Sequence, residues 1–401
     1  MPVADISHHV LGLLPMLNSK LAPFGTSIFA EMTALATRHG AINLAQGFPD
    51  FDGPEHIKQA AKTAIENGHA QYARFFGIPE LTSAISDWFR AGAGIQTDPE
   101  TQVTVTAGCT EAIAASLLGL LNAGDEVVLF EPYYDSYRAC ISMAGATPRF
   151  VTLHAPDFTW DEAELRRAFT PRTRAVLLNT PHNPTGRVFS RAELEQLAAL
   201  CLKHDAIVIS DEVYEKLVFE GEHVPIASIP GMADRTLTLS SLGKTFSLTG
   251  WKIGWAVGSP ELTRAVRAAH QFLTFAVNTP MQHAAAAALR SPPSYFTAFL
   301  ADYRRKRDYL CEALAALGFA LRKPQGSYFI YADHSAISAK LGLPDDVAFC
   351  RHLIRTHRVA AIPPTAFYEH RAHGQSLVRF AFCKRDETLR AAVERLEELA
   401  V

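Results

Sequence analysis

The stretch Ala206-Ile207-Val208-Ile209-Ser210-Asp211-Glu212-Val213-Tyr214 opens as a short apolar run and closes on carboxylates and a phenol. Uncharged, β-branched residues over four positions predict a strand. Four other runs read alike: Val103 to Thr106, Glu126 to Phe130, Ala175 to Leu178 and Thr236 to Leu239. Helix-length segments separate most of them. The alternation predicts an α/β fold, with a mostly parallel central sheet and helices on both faces. It collects the polar residues that follow each strand at one carboxyl edge of the sheet. Chemistry is expected there.

The last third has a different rhythm. A long helical stretch from Ser294 to Leu317 precedes strand-like Ser327 to Tyr331 and Leu377 to Phe382, and a helix closes the chain. In that helix Leu389, Val393, Leu396 and Ala400 recur at helical spacing, with Asp386 placed to cap it. This predicts a second, smaller α+β domain beginning near the Pro-rich Ser291-Pro292-Pro293. The division expected is an N-terminal segment (1–48) packing with the small domain, a large domain (49–290) and a small C-terminal domain (291–401).

Composition narrows the function classes. The 401 residues are 48% hydrophobic and 20% charged, with 38 Lys plus Arg against 41 Asp plus Glu and a net charge of −3. No bulk field recruits nucleic acid or an anionic membrane. The run Arg304-Arg305-Lys306-Arg307, flanked by Asp302 and Asp308, reads as a solvated helix face. Six cysteines without C-x-x-C spacing argue against a disulfide scaffold and a zinc ribbon, and no metal site is expected. With only Lys20 as an early cation there is no secretory signal pattern. The longest stretch of apolar and small residues, Ala112 to Leu121, is about half a bilayer crossing. A cytoplasmic protein acting on small molecules is expected.

Three strand ends carry the chemistry. Thr236 to Leu239 runs into Ser240-Ser241-Leu242-Gly243-Lys244-Thr245, which mimics the end of a P-loop but has Thr238 where the first glycine is needed. Ala206 to Ile209 runs into Asp211 and Tyr214. Ala175 to Leu178 runs into Asn179-Thr180-Pro181-His182-Asn183-Pro184-Thr185-Gly186. A lysine, a carboxylate, a phenol and an amide thus converge. They share a rationale if the ligand is a pyridine aldehyde phosphate: the amine forms a Schiff base with the aldehyde, and the carboxylate keeps the ring nitrogen protonated, the better electron sink. Phenol and amide then bond the ring oxygen and favour its ionised form.

A fourth strand, Val103 to Thr106, leads through Ala107-Gly108-Cys109-Thr110-Glu111 into an apolar helix, whose first N–H groups suit an anion. With Ser241 and with Lys252 of Thr249-Gly250-Trp251-Lys252-Ile253-Gly254, it reads as a phosphate cup.

Taken together, these motifs resemble the fold-type-I pyridoxal-phosphate aminotransferases, and within them the methionine and kynurenine (glutamine transaminase K) branch. Asn43-Leu44-Ala45-Gln46-Gly47-Phe48-Pro49-Asp50, Asn183-Pro184-Thr185-Gly186, Ser210-Asp211-Glu212-Val213-Tyr214, Ser241-Leu242-Gly243-Lys244-Thr245-Phe246 and Val378-Arg379-Phe380 carry the likeness in order. The resemblance implies that Lys244 is the cofactor's Schiff-base lysine, that Asp211 pairs with the ring nitrogen and that Asn183 and Tyr214 bind the ring oxygen. It implies that Tyr133 stacks on the ring, that Gly108, Cys109, Thr110, Ser241 and Lys252 hold the phosphate, and that Tyr72 reaches across from the partner subunit of a homodimer. Lys252 stands where many relatives carry arginine, so a point-charge contact replaces a bidentate clamp. Arg379, costly inside the strand Leu377 to Phe382 unless a carboxylate meets it, would bind the substrate α-carboxylate with Gly47 and Asn183.

The stretch His270 to Asn278 corresponds to the region where aspartate-specific relatives carry a second arginine, and it contains none. Phe272 and Phe275, with Phe48, Tyr72 and Phe367, instead suggest an apolar side-chain pocket. Methionine, phenylalanine, tyrosine, glutamine or kynurenine is the donor expected, and a 2-oxo acid the acceptor. The alternative is a carbon–sulfur β-lyase with the same cofactor, which the sequence does not separate. A DNA-binding regulator is disfavoured by the short, weakly basic stretch before Gly40, and a dinucleotide oxidoreductase by the lack of G-x-G-x-x-G after any strand.

Overall fold

The computed structural model of the chain describes residues 18–25 and 27–400. Its strands are β1 (Ile42–Asn43), β2 (Val103–Thr106), β3 (Glu126–Glu131), β4 (Thr147–Thr152), β5 (Thr173–Asn179) and β6 (Ile207–Asp211), followed by β7 (Thr236–Ser241), β8 (Gly254–Val257), β9 (Ala320–Leu321), β10 (Phe329–Asp333), β11 (Val359–Ala360) and β12 (Leu377–Ala381). The central sheet has seven strands in the order β2-β8-β7-β6-β5-β3-β4. Strands β7, β6, β5, β3 and β4 run parallel, and β8 is antiparallel to both its neighbours. Alternate residues serve opposite layers. Val128, Val176 and Val208 join one apolar cluster, whereas Val127, Leu129, Leu177 and Ile209 join another, so both faces need helices.

Two strands of the central sheet escaped the sequence reading, as did the two-residue strands β1, β9 and β11. In β4 the sequence Thr-Pro-Arg-Phe-Val-Thr is half exposed at the sheet edge, where Pro148 can do without a ladder bond. β8 is only four residues long and begins at Gly254.

The C-terminal region holds an antiparallel sheet in the order β12-β10-β9 and the long helix Pro293–Ala316. Helix Ile28–His39 leads into β1, which pairs in parallel with β11, Ile42 opposite Val359. Leu44 then accepts a bond from the Ala381 N–H at 2.8 Å, and the following residues 46–48 reach the edge of the large sheet. Residues 1–17, Thr26 and Val401 of the expected terminal segments lie outside the described residues.

Two expectations are corrected. Asp386 does not cap the closing helix Asp386–Leu396. Arg385 holds the cap position, and the Asp386 carboxylate pairs with Arg305 at 2.8 Å. The basic run is not a solvated face either. Lys306 and Arg307 are buried, Lys306 over the Phe51 ring and Arg307 over Phe219, because the helical turn that buries Tyr303 and Leu310 also carries them inward. Among the described residues no helix is long and apolar enough to cross a membrane.

Candidate active site

Register sets the site. Asn179 of β5 stands opposite Asp211 of β6, and Asp211 opposite Leu239 of β7, so three strand ends finish level. A cavity of about 280 Å³ opens there, lined by Gly47, Phe48, Gly108, Cys109, Thr110, Asn183, Asp211, Tyr214, Ser241, Lys244, Lys252 and Arg379. The residues singled out in the sequence for the cofactor and the substrate converge on it except Tyr133, Tyr72, Phe272, Phe275 and Phe367.

Asp211 is buried, and its carboxylate accepts the Tyr137 phenol at 2.7 Å and the Val213 N–H at 3.2 Å. Burial pushes its pKa up, and the donors Tyr137, Val213 and Cys109 work against that rise. Asn179 ties the next turn in place: its amide donates to the Asp211 carbonyl at 2.8 Å, and its oxygen accepts the Asn183 N–H at 2.6 Å. Lys244 projects from the short helix Leu242–Thr245 that follows β7, and its Nζ lies 3.4 Å from the Gly47 carbonyl oxygen. The Tyr214 and Tyr328 rings each lie 5.7 Å away. Burial pushes the Lys244 pKa down, with the Asp211 carboxylate pulling the other way.

The phosphate seat is a backbone construction. β2 ends at Thr106, Gly108 takes φ +77° and helix Gly108–Leu120 begins, leaving its first N–H groups unbonded within the helix. Gly254 of β8 packs flat against this turn. A Cβ there would lie 2.5 Å from the Gly108 carbonyl carbon and 2.7 Å from the Cys109 nitrogen. A side chain at Gly108 would meet Lys252 Nζ at 3.2 Å, so the cation stands beside the turn. A cradle of bare backbone, a hydroxyl (Ser241) and an ammonium suits a phosphate group.

Arg379 of β12 is buried. Its Nη1 donates to Asn183 Oδ1 at 3.2 Å and its Nη2 to the Ala45 carbonyl at 2.9 Å, while Nε has no partner. The guanidinium lies 4.2 Å from the centre of the Phe329 ring. Among the described residues no carboxylate lies within salt-bridge distance of it, so a structural ion pair does not explain the burial. Burial lowers its pKa. A buried cation without an anion is a costly arrangement that an arriving carboxylate offsets.

Tyr133 is a correction. Its N–H bonds the Phe367 carbonyl and its ring stacks on Phe150 with centroids 5.7 Å apart, which turns it away; Tyr134, the next residue, faces the cavity. Tyr72 and Phe275 meet edge to face at 5.3 Å outside the cavity, 82% and 48% exposed, with Phe272 84% exposed nearby in sequence. Phe367 is buried, 5.2 Å from the Arg379 guanidinium. The sequence reading passed over Tyr137, Asn179 and Tyr328, whose hydroxyl donates to the Gly47 carbonyl at 2.6 Å. The signal for the first was the cluster Tyr133-Tyr134-Asp135-Ser136-Tyr137 after a strand end.

A site of this kind, with a half-buried lysine that no carboxylate pairs and a buried carboxylate beside an anion seat at the carboxyl edge of a doubly wound sheet, defines a cofactor-dependent enzyme. Comparison with known proteins gives the family. The model for class I and II aminotransferases matches residues 39–396. The chain is 48% identical to the probable N-succinyldiaminopimelate aminotransferase DapC of Mycobacterium tuberculosis, over 96% of this chain and 99% of that one. A solved structure of the M. tuberculosis N-succinyldiaminopimelate aminotransferase superposes with a TM-score of 0.92, at 48% identity, over 96% of this chain and 100% of that chain. The methionine aminotransferase of Escherichia coli is 41% identical over 95% of this chain and 98% of its own, and human kynurenine–oxoglutarate transaminase 1 is 38% identical over 93% and 96%. The chain belongs to the class I and II aminotransferases, which depend on pyridoxal phosphate.

Proposed function

We propose that this aminotransferase moves the amino group of a neutral sulfur-containing or aromatic amino acid to a 2-oxo acid. The cations of the cavity carry the reading. They are Lys244, Lys252 and Arg379, and each already has a task, while Phe29, Phe48, Tyr134 and Phe329 supply apolar wall. Among the described residues that line the cavity, no cation is left for a distal carboxylate.

When bound, pyridoxal phosphate supplies an electron-accepting ring that makes the donor's Cα–H bond acidic. The residues present fit it. Gly108, Cys109, Thr110, Ser241 and Lys252 would hold the phosphate, and Asp211 would pair with the ring nitrogen. Asn183 and Tyr214 would bond the ring oxygen, and Tyr134, which lines the cavity, would stack on the ring in place of Tyr133. Arg379, with Gly47 and Asn183, orients the donor α-carboxylate. Lys244 Nζ would take and hold the donor's Cα proton, a positioned transfer worth ~10²–10⁴-fold in rate. Residues 49–290 form the cofactor-binding domain in this reading. Residues 291–400 form the small domain, on which residues 27–48 pack. Tyr72 and Phe275, exposed in one chain, complete the partner's site in a homodimer.

The test is a half-reaction. Purified holoenzyme is mixed with methionine, phenylalanine, kynurenine, aspartate or N-succinyldiaminopimelate, the substrate named for the M. tuberculosis relative, with no oxo acid added. Bleaching of the yellow cofactor band by the first three and not by aspartate is expected. Bleaching by aspartate or N-succinyldiaminopimelate alone would overturn the apolar reading.

A further inference from the structure

The turn that holds the phosphate seat is braced from behind by a group the amino-transfer chemistry does not use. His270, fully buried, lies near the end of helix Pro260–Leu273. Its Nδ1 is 2.6 Å from Glu111 Oε1 and its Nε2 is 2.6 Å from the Phe75 carbonyl oxygen. A backbone carbonyl can only accept, so Nε2 carries a proton. The short contact on the other side joins an imidazole nitrogen to a carboxyl oxygen and needs a second proton between them. His270 and Glu111 therefore share one proton more than a neutral imidazole holds, an arrangement best met by imidazolium and carboxylate. The second Glu111 oxygen accepts the N–H of Ala107, the residue at the cap of helix Gly108–Leu120.

We propose that His270, held as an imidazolium by Glu111 and the Phe75 carbonyl, is a positioning residue for the cofactor phosphate. Through Glu111 it fixes Ala107 and so aims the N–H groups of the following turn, and through Phe75 it joins that turn to the segment carrying Tyr72. This rests on the reading of residues 107–110 as the phosphate seat. Glu111 is the acidic group facing the ring from helix Gly108–Leu120. On the ring's own helix Arg267 opposes its charge, donating to the Val103 and Glu100 carbonyls at 2.7 and 2.8 Å. On the Phe75 segment Arg74 is already paired with Glu100 at 2.8 Å. Burial works against the imidazolium, but Glu111 and the Phe75 carbonyl outweigh it and hold the ring pKa above its ordinary 6.5. A raised value means the bracing proton is present at lower pH and is lost as pH rises through that value.

The experiment measures the dissociation constant of pyridoxal phosphate from the protein across pH. It compares wild type, His270→Phe, His270→Gln and Lys252→Ala, with phosphate-free pyridoxal as the reference ligand for effects on lysine chemistry. Wild type should lose affinity for pyridoxal phosphate, relative to pyridoxal, as pH rises through the histidine titration. His270→Phe should bind about tenfold more weakly at low pH, the loss of one charge-assisted bond, and show no such step. Should His270→Phe fail to fold, His270→Gln, which keeps one donor, carries the same comparison. Histidine ¹⁵N spectra of the wild-type holoenzyme should show both His270 nitrogens protonated at neutral pH. A singly protonated ring, or a His270 variant that folds and keeps the wild-type affinity and pH step, would overturn the proposal. If Lys252→Ala weakens pyridoxal phosphate binding and the His270 variants do not, the proposal alone fails; if none does, the phosphate seat itself has been misplaced.

Discussion

Arg379→Lys separates the two possible reasons for a buried guanidinium. In the folded chain Nη1 and Nη2 are tied to Asn183 Oδ1 and the Ala45 carbonyl, and Nε is free. A carboxylate approaching this edge would take two parallel bonds from the planar fork. Lysine keeps the charge but offers a single point, so one charge-assisted bond is lost, worth about 1.5–3 kcal/mol. That corresponds to a donor dissociation constant weakened by about one to two powers of ten. In the proposed arrangement Arg379 meets the cofactor's residues only through Asn183, so cofactor affinity should change far less than donor affinity. The assay titrates methionine and phenylalanine against the bleaching of the yellow band, and in parallel follows 3-phenylpropionate, which has the carboxylate without the amine, as a competitor. Both ligands should weaken together. If the variant binds both within twofold of wild type, Arg379 does not receive the carboxylate and its burial serves the fold alone.

Three other substitutions test neighbouring links. Lys244→Ala should lose at least ~10²–10⁴-fold in turnover while still binding pyridoxal phosphate non-covalently, read by single-turnover kinetics and by release of cofactor on dialysis. Gly254→Ala would press a methyl group to within 2.5 Å of the Gly108 carbonyl carbon, and since that contact is backbone it cannot turn aside. Cofactor affinity should drop about tenfold or more, measured by reconstitution of the apo-protein, whereas unchanged affinity would mean the turn yields freely. The third concerns Glu131, buried at the end of β3, which accepts His370 Nδ1 at 2.5 Å and the Glu369 N–H at 2.7 Å. The bond to Glu131 raises the His370 pKa above 6.5, burial opposing it. The folded-state value being the higher, this contribution to stability is complete below the ordinary value and disappears as pH rises through the raised one. Wild-type melting temperature should therefore fall over that range relative to His370→Ala; parallel curves would refute the link.

Much of this was legible because strand ends in a parallel sheet are predictable places. Asp211, Lys244 and Asn183 follow apolar runs, and the level register of β5, β6 and β7 brings them together without help from distant sequence. What escaped was orientation. Tyr133 and Tyr134 differ by one position, and the Phe367 carbonyl, more than two hundred residues away, and the Phe150 ring hold Tyr133 away from the cavity. Tyr137 lies one helical turn on and reaches Asp211 only because helix Asp135–Met143 runs back along the sheet. The buried Lys306 and Arg307 were misread for the same reason, since a charge run shows its solvated face in sequence only when nothing packs on it. Strand β4 was hidden by its edge position, where alternation weakens and proline is tolerated.

Three of the cavity's charged residues, Lys244, Arg379 and Asp211, share one property. Burial lowers the pKa values of Lys244 and Arg379 and raises that of Asp211, so each is held away from its charged form by the surroundings. No salt bridge among the described residues relieves Lys244, Arg379 or Asp211. Such a set is poor for stability taken alone, because each desolvated charge lacks the counter-ion that would offset it. It suits a site whose counter-ions arrive with its ligands: a ring nitrogen for Asp211, a carboxylate for Arg379 and, at the adjoining seat, a phosphate for Lys252. Each ligand then repairs a local deficit. The folded chain should thus gain stability on binding cofactor, by about 2.7 kcal/mol at a hundredfold excess over the dissociation constant. Substrate carboxylate should add to that gain through Arg379, whereas a purely structural arginine would leave the substrate's contribution near zero.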